Sequence, residues 1–267
     1  MEQAVGKLDS ALECRDENRS EMVMDALESL VQISRECSAE EMAGCELDEL
    51  FVDSFDKISP KNHKRLVEML PDLVSYMRDP RNIYSSIERY FRPECHFSVD
   101  VAKVVFVIKR DFGLEFDGFL SNLFDCISPG NIEHNIERKL FFILMALGDS
   151  SVSLLTAKAF IKKLCSISLQ MRSSCCHKIL WTVLWIMRLH PMAYAMARRE
   201  SFRKDLEWTV SIEINRFQPY LFELDILSKS LEGIRKVTGL IKREAMDAKH
   251  RPKLLSLANF VFPKMEI

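Results

Sequence analysis

The sequence predicts an all-α protein, a HEAT/armadillo-like α-solenoid of irregular helix pairs. Three observations carry that expectation. Glycine is scarce, eight in 267 residues, which leaves little material for hairpin turns or phosphate-cradling loops, while good helix formers dominate. Apolar residues recur at steps of three and four, the period of one helix face. Proline and capping residues punctuate the chain about once per helix. A hydrophobic fraction of 48% with 28% charged residues is the balance of a folded chain rather than a disordered one.

Residues 1–45 are polar and acidic, with a weak apolar stripe at Met22, Ala26, Leu30 and Ile33. They predict a weakly helical or partly mobile segment ahead of a solenoid over 46–267. Ser59-Pro60 and Asp79-Pro80 each place a capping side chain before a proline at the first helical position. Pro93 ends a helix. Val99 to Ile108 is rich in β-branched residues, which favour strands. It sits between helical neighbours without a second run to pair with, so a buried helix is expected.

Ser128-Pro129 marks another helix start, after which Ile132, Ile136, Leu140, Ile143, Leu144 and Leu147 share one face. Asp149-Ser150 is the next expected start. From Leu154 to Pro191 the spacing predicts two helices. The first has a stripe of Ala157, Phe160, Ile161, Leu164, Ser168 and Met171, with Lys158, Lys162 and Lys163 expected to point away from it. The second is apolar almost all round and ends at His190, read as a C-terminal cap favoured by the helix dipole, before Pro191. Pro219 and Pro252 end or restart later helices. No strict repeat occurs, so consensus repeat families are not expected.

Charge is unevenly distributed. Residues 1–60 hold 16 acidic against 5 basic residues, a balance of −11, and the remainder holds 23 against 32, a balance of +9. A basic body suits polyanions or acidic partners, although solvated helix faces account for such charge equally well. Three basic clusters stand out: Lys158, Lys162 and Lys163; then Arg198, Arg199, Arg203 and Lys204; then residues 229–253. The first two are the candidate surface for a partner or RNA. The third lacks interleaved aromatics, which argues against sequence-specific RNA reading.

Eight cysteines without a C-x-x-C pair, most at apolar helical positions, fit reduced thiols. The polar first twenty residues and the absence of an apolar run near 20 residues predict a soluble intracellular protein. Motifs of catalysis are missing. Gly113 to Gly118 continues with Phe119-Leu120 instead of the lysine a phosphate loop needs. Cys175-Cys176-His177 is the one dense ligand cluster, but neighbours on a helix diverge by about 100°, so buried thiols at a helix start are expected instead of a metal. Trp181 and Trp185, one turn apart, are read as core packing before stacking platform. No catalytic residue, metal or cofactor is expected.

These residues also carry a resemblance. AKAFIKKLCSISL (Ala157–Leu169), followed by an apolar helix ending RLHP (Arg188–Pro191), resembles the core of the nucleolar complex protein 4 family, within the group that carries the CCAAT-binding-factor domain. PYLFELDIL (Pro219–Leu227) resembles its tryptophan-glutamate-leucine box, with Phe222 in place of the tryptophan. The likeness spans about 115–245. The chain departs from the pattern at Ser228-Lys229-Ser230-Leu231, where the family has a His-Tyr-His-Pro turn, and in an acidic insert shortened to Thr209–Gln218. It looks like a compacted member.

The resemblance implies a non-enzymatic scaffold of small ribosomal subunit biogenesis in the nucleus and nucleolus. It implies a nucleolar protein 14-like partner within the pre-ribosomal particle containing small-subunit rRNA, and no membrane or small-molecule substrate. Phe160, Ile161, Leu164, His190, Pro191, Phe222, Glu223 and Leu224 are the family-motif positions expected to pack, with Phe222 and Leu224 holding the last helices. A related protein of large-subunit assembly and a generic helical adaptor are the alternatives.

Overall fold

The computed structural model describes residues 2–13, 19–34, 47–77, 79–149, 151–198 and 220–247. Among them every regular element is helical and no strand occurs, so the fold is all-α and solenoid-like. The chain divides into two compact units, Met1–Cys126 and Ile127–Ile267. The boundary expected at 45/46 lies outside the described residues.

The first unit contains α1 (Glu2–Glu13), α2 (Arg19–Ser34), α3 (Leu47–Lys57), α4 (His63–Leu73), α5 (Arg81–Ile87), α6 (Ser98–Phe112) and α7 (Phe119–Cys126). Helix α1 packs on α2, α2 on α4, and α4 on α6. In α2 the buried face is set by Val23, Met24, Leu27, Leu30 and Val31. Met22, expected on that stripe, is exposed instead. Ser59 precedes Pro60 without a side-chain cap bond; its N–H donates to the hydroxyl of Ser20 at 3.1 Å, so the turn is held from α2. Asp79 does work locally, accepting the Arg81 N–H at 3.1 Å ahead of α5.

The Val99–Ile108 run is the buried middle of α6. That helix stops at Gly113, whose φ of 66° is the left-handed conformation a helix end uses and L side chains avoid.

The second unit contains α8 (Pro129–Glu133), α9 (Ile136–Leu147), α10 (Leu154–Ser168), α11 (Ser173–Leu189), a 3-10 helix (Pro191–Ala197), α12 (Glu223–Leu227) and α13 (Glu232–Met246). Ser128 caps α8 by accepting the Asn131 N–H at 3.3 Å. The stripe from Ile132 to Leu147 is buried throughout, yet it is split between two helices. Asn135 takes φ 53°, a conformation asparagine tolerates better than most residues, and the break leaves the apolar face intact.

Helix α10 begins later than expected. Its cap is Ser153, which accepts the Thr156 N–H at 3.1 Å, whereas Asp149 spends its carboxylate on the Ser151 N–H at 2.8 Å in the preceding turn. Ser150 lies outside the described residues. Helix α11 is the central element, packed against α9, α10 and α13. Its start carries Cys175, Cys176 and His177, all buried, and burial pushes the Cys176 thiol up to about 11, where it stays protonated.

Candidate interaction surface

Helix α10 was expected to show one apolar stripe and one basic outer face. It does not. Phe160, Ile161 and Leu164 are buried against its neighbours, but so are Lys158 and Lys162. Only residues such as Ala159, Lys163 and Ser166 are part-exposed along it. The reason is a second covering layer: α10 packs on α11 along one side and meets α12 and the 3-10 helix as well.

Lys162 is the anchor of that second layer. Its ammonium lies 2.7 Å from Glu223 Oε1, donates to Oε2 at 2.9 Å and to the Tyr220 carbonyl at 3.1 Å. Ser166 donates its hydroxyl to Glu223 Oε1 at 2.8 Å. Glu223 is 0% exposed. A buried charge is tolerable only when paired and hydrogen-bonded, and here both conditions are met. Lys162 is therefore an internal strut, and its place on an outer contact surface is corrected.

Phe222 is corrected as well. At 42% exposure it does not pack the last helices; its ring covers the Lys162 ammonium, 4.3 Å from the centroid, a cation–π contact. Leu224 is the residue that packs inward. Lys158 makes no ion pair among the described residues, and burial lowers its proton affinity; it is no outer contact either. Lys163 is part-exposed.

The second basic cluster is only partly described. Arg198 is half-buried and donates to the Ala245 carbonyl at 2.7 Å, capping the C-terminal end of α13 rather than facing a partner. Arg199, Arg203 and Lys204 lie outside the described residues. His190 donates its Nε2–H to the Leu147 carbonyl at 2.8 Å. It ties the end of α11 to the end of α9, a cross-link as well as a helix end. Pro191 then opens the 3-10 helix.

Sequence reasoning missed two features. Arg188 grips Glu244 with Nη2 at 2.6 Å and Nε at 3.2 Å, and Tyr194 donates to the same carboxylate. Burial pushes Glu244 up, but the Arg188 and Tyr194 hydrogen bonds outweigh it and leave the carboxyl below its usual range. Trp181 and Trp185 are not core residues: both are part-exposed, one donating to His177 at 3.1 Å and the other with Arg188 over its ring at 5.5 Å. Glu244 lies 56 residues from Arg188 and 50 from Tyr194, so spacing gave no signal for the first. For the second, the apolar neighbours Leu184 and Met187 suggested a buried face, but both rings sit on the part-exposed side of the helix.

Stacked helices, with a buried ion pair joining α10 to α12, define an all-α, solenoid-like helical protein. The model of the CBF/Mak21 family matches residues 98–253, more than half of the sequence, and the chain belongs to the CBF/Mak21 family. Members of that family are in general nuclear and nucleolar factors of ribosome biogenesis. No match is found among curated proteins.

Proposed function

We propose that this chain is a non-enzymatic scaffold of small ribosomal subunit biogenesis in the nucleolus, a compacted relative of nucleolar complex protein 4. Its partner would be a nucleolar protein 14-like chain within the early pre-ribosomal particle. The observation that carries the reading is the family match over 98–253, which contains all three motifs behind the resemblance. The Lys162–Glu223 pair gives that co-occurrence a physical reason, because it joins the first motif to the last. Two segments that must supply opposite charges to one buried pair cannot vary independently.

Affinity purification of the tagged full chain tests it. Small-subunit precursors and a nucleolar partner are the expected co-purifying species. Large-subunit precursors alone would replace the proposal with the large-subunit alternative. Recovery of neither, with cytoplasmic staining, would favour a generic adaptor and remove the assembly reading.

A further inference from the structure

A cleft of about 860 Å³ opens between α11 and α13, lined among others by His177, Trp181, Arg235, Lys236, Gly239 and Arg243. A second hollow of about 590 Å³ shares Glu232 and Arg235 with it and adds Lys229. Lys229, Arg235, Lys236 and Arg243 are exposed, and Glu232 is the one acidic group lining either hollow. Glu232 pairs with Lys236 at 3.2 Å, whereas Lys229, Arg235 and Arg243 make no ion pair among the described residues. Arg235 and Arg243 are eight residues apart on one helix, about 12 Å along its axis at 1.5 Å per residue. That distance suits a charged chain lying along the helix better than a single small anion.

One further feature shapes the cleft. Trp181 forms the opposite wall, part-exposed, with its indole N–H held by His177 Nε2 at 3.1 Å. That bond fixes the ring plane and leaves His177 neutral at Nε2. Trp181 thus supplies a stacking face to a basic cluster that lies 48 to 62 residues further along the chain.

We infer that this cleft and the hollow beside it bind single-stranded RNA, with phosphates on Lys229, Arg235, Lys236 and Arg243 and a base against Trp181. Distributed cations beside one aromatic face are the pattern of backbone-tracking, sequence-tolerant binding. An amphipathic partner helix would instead need a row of apolar anchors at helical spacing. Beside the tryptophan the cleft offers only part-buried Leu240 and buried Val237; exposed Leu169 and Leu231 line the second hollow and not the cleft that holds Trp181. The polynucleotide assignment stands on this geometry; the choice of RNA over DNA rests on the ribosome-assembly reading above.

Fluorescence anisotropy of the full chain with a labelled 12-nucleotide oligouridine tests the site. Binding should weaken with salt at a log–log slope near −2 to −3, about 0.7 per phosphate neutralised on a single strand. Arg235→Glu with Arg243→Glu should lower affinity at least tenfold while thermal unfolding stays unchanged. Trp181→Leu should lower it about tenfold and abolish fluorescence quenching on binding, whereas Trp185→Phe retains quenching. No binding at low salt, or binding indifferent to charge reversal, overturns the site. Equal competition by oligoglutamate overturns it in favour of an acidic protein segment, and tighter binding of oligodeoxythymidine overturns the choice of RNA. Oligouridine binding with failed co-purification removes the assembly reading and leaves the cleft; the reverse result removes the cleft alone.

Discussion

Helices α10 and α13 carry basic residues at similar spacing and put them to opposite uses. In α10 Lys158 and Lys162 are buried; in α13 Arg235, Lys236 and Arg243 are exposed. Local sequence does not distinguish them, since both show lysine or arginine beside an apolar stripe. What separates them is whether a later segment returns to cover the second face. For α10 it does, bringing the Glu223 carboxylate with it. Charge on a helix is thus a statement about a surface only after the helix's neighbours are known.

The strongest way to break this comparison is Lys162→Met. It strands a buried carboxylate, and such a loss costs about 3–5 kcal/mol. Urea unfolding should show that drop, and adding Glu223→Leu should recover most of it, because no charge is then left unpaired. A double variant as unstable as the single one would mean that the pair is not what holds α12. Ser153→Ala removes the α10 cap and should cost about 1 kcal/mol. Leu231 begins α13 without a side-chain cap bond, so Leu231→Ser should gain a similar or smaller amount.

Lys158→Met should be neutral or stabilising by about 1 kcal/mol, since it removes a desolvated charge that has no ion pair among the described residues; a clear loss in thermal stability would count against the buried placement. Acidification acts in the opposite sense on His177, adding a charge where proton affinity is lowered by burial and by Lys178. The unfolded chain then binds the proton more readily, so stability present above about pH 6.5 declines as pH falls through the lower folded value. Thermal scans between pH 7.5 and 5 should show this, and His177→Gln should flatten it. Arg235→Ala, on the exposed helix, should change stability by no more than about 0.5 kcal/mol.

Much of the helical framework was legible in the sequence. The α6 run resolved correctly because a ten-residue β-branched segment without a partner has nowhere to pair. Ser128 was identifiable as a cap because its hydroxyl acts on an N–H three residues away. Asn135 was not, because a left-handed residue between two helices can leave the apolar period undisturbed. The family group was legible from three short motifs. The roles of Lys162, Phe222 and Arg198 were not, since each depends on a partner 47 to 61 residues distant. Trp181 failed for a related reason: the cleft it lines has its other wall on α13, which no local window contains.

The Leu221 N–H donates to the Met196 carbonyl at 2.9 Å, so the chain on either side of residues 199–219 is fastened together. A join made by backbone atoms survives substitution of either side chain, proline at Leu221 excepted, because the N–H and the carbonyl belong to the main chain. The Lys162–Glu223 pair has no such immunity, since either side chain can be lost in one substitution. Mutation can therefore loosen α12 from α10 while the segment that leads into it stays tied to the 3-10 helix.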